Sequence, residues 1–475
     1  MVINIQSVLF SLLNLVFIPV SITYGQSPNV IIILTDDQGW GDIGYNNPKV
    51  YTPNMDKLAR SGALFTNHYV MAQCTPTRVA LMTGRYPSRF GPHATSASTK
   101  PAFPKGTPTI ASMLKSQGYD TCLSGKWHLG SSPDHGPNYF GFDQSYGCLS
   151  GAVGNYNHGY RKGPLFQTWH RNHELIEGSE NGVHTTDLIT DDAIVFIRQK
   201  RDNPFFLYLP YTAVHTPLDE RGKFHNQPTR LDRRNTNRWK NEDNIPWFND
   251  PLGKIQQEED PEKRLFLAAL HHLDHAIGRV IDTLKDHNLY ENTLLLFSSD
   301  NGPQVNWPGN AYPDDLKLTD FNQPIPMRGQ KHDVYEGGVK VPGFAVWPKK
   351  IKPQRIDYPM HIVDWFPTVA QVVGFKKTGS LSWDGFDQCP SILSGAKALE
   401  RDFYWVQSNR RWAVRHDSWK IVCYSKKIPK NPSDWALYNL NKDPFERNEL
   451  SSKYPEVLAN LHNRFLKHRA LDKTR

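Results

Sequence analysis

Two acid-rich turns each follow shortly after an apolar run of strand length in the sequence. Asp36 and Asp37 follow the run NVIIIL, and Asp300 and Asn301 follow the run TLLLFS. Each turn by itself is also typical of a solvated bend. In an open parallel sheet, however, the carboxyl ends of neighbouring strands meet at one edge, where ligand sites form. Three carboxylates and an amide at that edge would suit a hard cation, Ca²⁺ or Mg²⁺, better than zinc.

A more specific pattern begins at Cys74, where residues 74–85 read CTPTRVALMTGR. This stretch fits C-x-P-x-R-x-x-L-x-T-G-R, a pattern rarely met by chance because cysteine is scarce. It resembles the signature of the type I sulfatases, the arylsulfatase branch of the alkaline phosphatase superfamily. In that family the cysteine is oxidised after translation to formylglycine, whose hydrated aldehyde supplies a geminal diol. The alternative is a buried, inert cysteine beside a proline turn.

Further segments resemble the same family in order along the chain. Residues 29–37 resemble its first metal-binding strand, and residues 125–130 resemble its G-K-W-H-L-G segment. Residues 211–217 resemble its strand-end histidine, residues 299–302 its S-D-N-G turn, and residues 331–338 the segment with its second sulfate-binding lysine. The stretch 437–450 resembles the family's closing L-Y-D-L…D-P…E-x-x-N-L. Here Asn439 replaces the Asp, and Glu-Leu replaces Asn-Leu, at positions with no known chemical role. The resemblance covers essentially the whole chain after residue 25.

The resemblance implies a metal site. The ligands it implies are Asp36, Asp37, Asp300 and Asn301, together with the formylglycine made from Cys74. The implied metal is one Ca²⁺ per chain, and Mg²⁺ is the alternative on ligand type alone.

The resemblance also implies how a sulfate ester is cleaved. One diol oxygen attacks sulfur, while Lys126 and Lys331 neutralise the sulfate oxygens and Arg78 anchors the diol and the cation. His215 donates a proton to the departing alcohol. His128 takes the proton of the second diol hydroxyl, so that the sulfated hemiacetal expels sulfate and regenerates the aldehyde.

Three other histidines, His271, His272 and His275, form H-H-x-x-H inside the longest helical pattern. His271 and His275 are four residues apart, a spacing that zinc pairs use. No glutamate follows His271, and no third ligand is evident. We therefore interpret these histidines as surface or packing residues.

Strand-like and helical patterns alternate up to about residue 347, which predicts an α/β fold with a mostly parallel or mixed central sheet flanked by helices. Thr52-Pro53 and Thr107-Pro108 are predicted helix starts. Residues 216–260 are polar and predict a long surface excursion. Beyond about residue 375, short aromatic strands and a terminal helix predict a smaller antiparallel sheet plus helix. The predicted organisation is a signal peptide at 1–25, a catalytic domain at 26–375 and a C-terminal subdomain at 376–475.

The first 25 residues of the chain favour export of the protein. An apolar run, VLFSLLNLVFIPV, precedes small residues and is too short to span a bilayer, although no Lys or Arg precedes it. A buried N-terminal helix is the alternative. The chain contains no N-glycosylation acceptor, which favours a bacterial envelope. We expect a periplasmic or secreted protein without stable membrane insertion.

The composition limits which class of protein this is and which binding partners it suits. Hydrophobic residues make up 38% of the chain, which excludes a disordered protein. The net charge of +8 favours an anionic partner, but no run of five basic residues points to nucleic acid. The five cysteines are an odd number, so at least one thiol has another role than a disulfide.

Two stretches, 156–171 and 410–420, combine basic and aromatic side chains that suit sulfated sugars. The alternating aromatics of the second are also typical of a small sheet packed on a larger domain. We expect a sulfated glycan substrate, of carrageenan, ulvan or glycosaminoglycan type, and a formylglycine-generating enzyme as partner. The alternatives are a phosphoester or phosphonate hydrolase of the same superfamily, and a non-catalytic, calcium-dependent glycan-binding protein.

Overall fold

The computed structural model describes most of the chain after the leader. The described residues are 27–159, 167–176, 178–216, 218, 220, 245–305, 327–377, 379, 381–397 and 399–473. The predicted signal peptide at 1–25 and the basic residues Arg161 and Lys162 lie outside them. Within these ranges, no helix combines the length and the apolar character that a membrane span requires.

The described residues form fifteen strands and nine α-helices. The strands are β1 (Asn29–Thr35), β2 (Ala63–Tyr69), β3 (Asp120–Ser124), β4 (Gln144–Cys148), β5 (Trp169–Arg171), β6 (Glu174–Leu175), β7 (Phe205–Pro210), β8 (Thr293–Ser299), β9 (Lys340–Val346), β10 (Gln354–Ile356), β11 (Met360–His361), β12 (Asp402–Gln407), β13 (Arg411–His416), β14 (Trp419–Tyr424) and β15 (Ala436–Asn439). The helices are α1 (Pro53–Ser61), α2 (Cys74–Thr83), α3 (Ile110–Ser116), α4 (Thr185–Arg198), α5 (Pro261–Asp286), α6 (Glu336–Val339), α7 (Trp365–Val372), α8 (Cys389–Ser394) and α9 (Pro455–Arg469).

The large sheet is mixed, which confirms the predicted fold class. Its strand order is β10-β2-β9-β8-β1-β7-β3-β4-β5-β6, with β11 also paired to β2. The central strands β8, β1, β7 and β3 are parallel, whereas β9 runs antiparallel to both β8 and β2. Every residue of β1, β7 and β8 is buried, as their continuous apolar sequences predict. The carboxyl ends of these strands therefore meet at one edge of the sheet.

Two predicted helix starts differ in detail. Helix α3 is capped by Thr109, whose hydroxyl accepts the Ser112 N–H, rather than by Thr107. Thr52 precedes Pro53 at the start of α1 as predicted, but its hydroxyl does not cap the helix. Instead, the carboxylate of Asp274 on α5 accepts the backbone N–H groups of Asn54 and Met55. The long-range contact with Asp274 therefore takes the place of the local N-cap expected from Thr52.

The predicted surface excursion is partly wrong. Residues 221–244 lie outside the described residues, but Phe248 and Ile255 are buried in the core beside α5. The segment following the gap is therefore packed against the domain rather than solvated.

A second sheet, β12-β13-β14-β15, is antiparallel and is followed by α9. It shares one core with the large sheet, and Trp405 donates its indole N–H to the carbonyl of Val70 at 2.8 Å. Trp412, Arg415 and Lys420 are buried. These three side chains of the second basic-aromatic stretch therefore pack inside the protein and offer no surface to a glycan.

Candidate active site

The two acid-rich turns lie side by side at the sheet edge. Strands β1 and β8 pair in parallel, with Thr35 opposite Ser299, so both turns emerge at the same level. The backbone N–H of Asp37 donates to Asp300 Oδ1 at 3.2 Å, and the N–H of Asp300 donates to the Thr35 carbonyl at 3.0 Å. Asn301 donates its amide to Asp37 Oδ1 at 2.7 Å. All four predicted metal ligands are thus brought together and buried.

Cys74 is the first residue of α2 and is only 2% exposed. Arg78 lies four residues later, one turn along the same helix. Its guanidinium donates to Asp300 Oδ2 and to the Lys126 carbonyl, both at 2.8 Å. Helix α2 therefore joins the cysteine to the acidic turns. Burial raises the pKa of the Cys74 thiol against the opposing effect of Lys126 and Lys331, so the thiol is held neutral.

Two buried lysines face the acidic turns. The Lys126 ammonium donates to Asp36 Oδ2, and the Lys331 ammonium donates to Asp37 Oδ2 at 2.9 Å. Burial opposes the charge on both lysines, but the surrounding acidic groups, led by Asp36 at Lys126 and by Asp37 at Lys331, together outweigh it and raise the pKa of each lysine. Both ammonium groups are therefore permanent positive charges at neutral pH.

His215 lies in the segment that follows β7. Its Nδ1 lies 2.7 Å from the Thr216 carbonyl, so Nδ1 carries a proton. Its Nε2 lies 3.7 Å from Asp37 Oδ2. The ring is thereby oriented with Nε2 toward the acidic turns.

His128 follows Lys126 closely and adopts a left-handed backbone conformation, with φ of 55°. Its carbonyl accepts the hydroxyl of Thr75, the neighbour of Cys74, at 3.1 Å. Gly151 lies against the imidazole, because a Cβ built there would be 2.3 Å from Nε2 of His128. Only glycine leaves room for this ring position. No motif signalled Gly151, since the contact joins two loops that are distant in sequence.

The residues at the sheet edge fit a divalent cation. Asp36 Oδ1 and Asn301 Oδ1 are buried and accept no hydrogen bond from the described residues. Burial, and then the neighbouring charge of Asp300, raises the pKa of Asp36 to about 7. Orphaned oxygens and mutually repelling carboxylates are both relieved when a cation is bound. Oxygen atoms of Asp36 and Asp37 also lie within 4.8 Å of a ring nitrogen of His215, but a hard cation prefers the oxygen ligands.

A second cluster, His184, Asp187 and His272, has its candidate ligand atoms within 4.8 Å of one another. The His184 Nδ1 accepts the Thr186 N–H at 3.2 Å, so its Nε2 carries the proton and cannot bind a metal. The His272 ring stacks on Trp247 with centroids 4.0 Å apart. These contacts agree with the interpretation of the histidines on α5 as packing residues.

All ten residues singled out from the sequence lie in the described part of the chain. They converge on the edge formed by β1, β8 and the start of α2. All five cysteines are buried and free.

Two family models match the chain. A sulfatase model matches residues 28–375, and a model for the C-terminal part of N-sulphoglucosamine sulphohydrolase matches residues 330–471.

Curated relatives match over nearly the whole chain. Arylsulfatase J of Mus musculus is 30% identical, over 92% of this chain and 75% of that protein. N-acetylgalactosamine-6-sulfatase of Homo sapiens is 27% identical, over 92% of this chain and 84% of that protein. Among solved structures, Ps i-CgsB in complex with k-i-k-neocarrahexaose superposes with a TM-score of 0.74 at 27% identity, over 94% of each chain.

Proposed function

Because this chain belongs to the sulfatase family of the alkaline phosphatase superfamily and is a sulfuric ester hydrolase, we propose that it removes sulfate from a sulfated polysaccharide or oligosaccharide through a formylglycine made from Cys74. The observation that carries the proposal is the position of this cysteine. It begins α2 beside buried lysines, acidic turns and two histidines. A neutral, buried thiol there suits a precursor of the nucleophile better than a thiolate nucleophile.

Two groups complete the site in this proposal. Formylglycine would supply a geminal diol, and a divalent cation, which we propose is Ca²⁺, would favour deprotonation of that diol and neutralise sulfate charge. Asp36, Asp37, Asp300 and Asn301 would hold the cation.

The chain's own cations bind the sulfate group. Lys126 and Lys331 are fixed in a buried site, where charges act more strongly than in water. Arg78 donates to Asp300 and to the Lys126 carbonyl, so it fixes the position of the Asp300 turn relative to the segment that carries Lys126. A sulfate ester placed between the lysines would meet Cys74 on one side.

The two histidines divide the proton transfers. His215 presents Nε2 toward the site and donates a proton to the departing alcohol. His128, whose ring lies against Gly151, accepts a proton on the nucleophile's side and so allows sulfate to leave. His128 follows β3 and His215 follows β7, so the two proposed proton transfers are assigned to separate loops.

The relatives favour a glycan substrate. One structural neighbour was solved with neocarrahexaose, and one relative is named for N-acetylgalactosamine 6-sulfate cleavage. The +8 net charge is also compatible with a polyanion. We propose a sulfated algal glycan or a glycosaminoglycan as the substrate class.

Export and maturation belong to the same proposal. Residues 1–25 would direct the protein to the periplasm or the medium, and a formylglycine-generating enzyme would convert Cys74 during biogenesis. The catalytic domain would span 26–375, and the C-terminal subdomain 376–475.

Mass spectrometry of the peptide containing Cys74 tests the nucleophile directly. Conversion to formylglycine lowers the peptide mass by about 18 Da. Sulfate and phosphate esters with equally acidic leaving groups should then be compared. Preference for the phosphate ester would favour the phosphohydrolase alternative, whereas sulfate turnover excludes a non-catalytic binding protein.

His215→Ala should slow cleavage of a sugar sulfate by about 10²–10⁴-fold, because an alkoxide leaves poorly without a proton. A nitrophenyl sulfate needs no proton on its leaving group and should lose less than about tenfold. Steady-state kinetics on both esters measures the difference. Equal losses on the two substrates would remove His215 from the acid role.

Gly151→Ala should displace the His128 imidazole and lower kcat by about 10–100-fold, since small misplacements of catalytic groups are costly. Release of nitrophenol should show a burst before a slow steady state, because breakdown of the enzyme-bound species becomes limiting. Gly379→Ala is the control, since its Cβ would meet nothing within 4 Å. A Gly151→Ala enzyme with wild-type turnover would show that the His128 ring position is unimportant.

A further inference from the structure

Lys331 sits in a loop that touches the candidate site at three places. This segment, residues 328–338, is called the lysine loop. Lys331 contacts Asp37 through its ammonium, and its N–H donates to the Pro303 carbonyl at 2.9 Å. The N–H of His332 donates to the Ala72 carbonyl at 2.7 Å, two residues before the cysteine. The loop therefore carries Lys331 against both the acidic turns and the start of α2.

The lysine loop also supports the turn that contains Asn301. The N–H of Gly302 donates to the Gly338 carbonyl at 3.0 Å. A Cβ on Gly302 would lie 1.8 Å from the Gly337 carbonyl oxygen, so only glycine allows this approach. A displacement of the loop would therefore disturb the metal turn as well as Lys331.

The outer side of the lysine loop is held by a buried ion cluster from the C-terminal sheet. Lys420 on β14 is fully buried, and its ammonium lies 2.9 Å from Glu336 Oε1 and 3.0 Å from Glu446 Oε1. The N–H of Glu336 donates to Glu446 Oε2 at 2.6 Å. Tyr69 donates to the second oxygen of Glu336 at 2.7 Å. Glu336, near the end of the lysine loop, is thus held by contacts with Lys420, Glu446 and Tyr69.

Further contacts from the C-terminal part join the same loop. Arg328 donates to the Tyr438 hydroxyl and to the Glu446 carbonyl, both at 2.9 Å. Tyr424 donates to Asp333 Oδ1 at 3.0 Å. Residues beyond 400 thus contact the beginning, middle and end of the loop.

We propose that Lys420 and Glu446 are positioning residues for the sulfatase reaction, which hold Lys331 in place through Glu336. Buried charges are tolerated only when paired in good geometry, so removing one member forces its partners to move. Because Glu336 belongs to the lysine loop, a movement of Glu336 would displace that loop. The inference rests on the proposed sulfate-binding role of Lys331.

Lys420→Met tests the proposal against a matched control, Arg89→Met. Arg89 is also a buried cation between two carboxylates, Asp384 and Asp472, and none of its hydrogen bonds reaches the lysine loop within the described residues. Both variants should lower Tm. Below both transitions, Lys420→Met should lose about 10²-fold in kcat/KM on nitrophenyl sulfate, with KM raised, while Arg89→Met stays within about twofold of the wild type. Equal losses in the two variants would overturn the proposal.

A double-mutant cycle with Lys331→Ala shows whether Lys420 acts through Lys331. We expect the double variant to be at least about tenfold more active than the product of the two single losses predicts. A smaller coupling overturns the proposal. If Lys420→Met does not fold, the same cycle is run with Glu446→Gln, which keeps the side-chain shape and an acceptor for the Glu336 N–H.

Hydrogen exchange gives a readout that does not depend on activity. Peptides that contain Gly302, Lys331 and Gly337 should exchange faster in Lys420→Met but not in Arg89→Met. Unchanged exchange in Lys420→Met overturns the positioning role. A wild-type protein that cleaves no sulfate ester would instead refute the proposed function, so the two failures are distinguishable.

Discussion

Cys74→Ala is expected to abolish turnover and leave the fold intact. The substitution removes the precursor of the nucleophile, and loss of a catalytic nucleophile typically costs about 10⁴–10⁶-fold in kcat. The side chain lost is small and buried, so the free energy of unfolding should fall by only about 1–2 kcal/mol. Sulfate ester hydrolysis and thermal unfolding of the same preparation measure the two effects.

Cys122→Ala is the matched control, because this thiol is also buried but lies within β3 in the core. It should lose comparable stability and keep full activity. Cys74→Ser should behave like Cys74→Ala unless the expression host converts serine. More than trace activity of Cys74→Ala in a clean preparation would refute the formylglycine mechanism, and loss of activity in Cys122→Ala would point to a general effect of core thiols.

The sequence predicts the sheet edge well because its signals are local. Continuous apolar runs identify β1 and β8, and the residues that follow them must lie together once the strands pair in parallel. The pattern that begins at Cys74 identifies Cys74 and Arg78, which the structure places one turn apart on α2. Seven of the ten site residues follow the end of β1, β3, β7 or β8, Cys74 and Arg78 lie on α2, and Lys331 lies in the segment before α6.

The supporting contacts could not be predicted, because they join residues far apart in sequence. Gly151 against His128, and Lys420 against Glu336, have no local pattern that distinguishes them from a loop glycine and a strand lysine. The cap of α1 shows the same limit. Thr52 has the right residue type and position, yet Asp274 from α5 takes its place. Tertiary contacts decide these details after the elements have formed.

Asp300→Ala should lose metal and activity together. Asp300 is one of three carboxylates at the sheet edge, and it also accepts from Arg78 at 2.8 Å and from the Asp37 N–H. Its removal lowers the negative charge available to a divalent cation and, among the described residues, leaves Asp36, at 3.8 Å, as the carboxylate paired with Arg78. We expect kcat/KM to fall by at least about 10³-fold. Elemental analysis should find less bound metal than in the wild type.

Breaking a buried ion pair also destabilises the fold, by about 3–5 kcal/mol, so the loss of activity needs a control of equal burial. Asp364→Ala provides it, since Asp364 is buried against the guanidinium of Arg401 and lies outside the candidate site. That variant should be destabilised yet retain its metal and its activity per folded molecule. Chelation should inactivate the wild type, and added Ca²⁺ should restore it. Full wild-type activity after exhaustive chelation, with no metal detected, would remove the cation from the mechanism and leave Asp300 as a structural partner of Arg78.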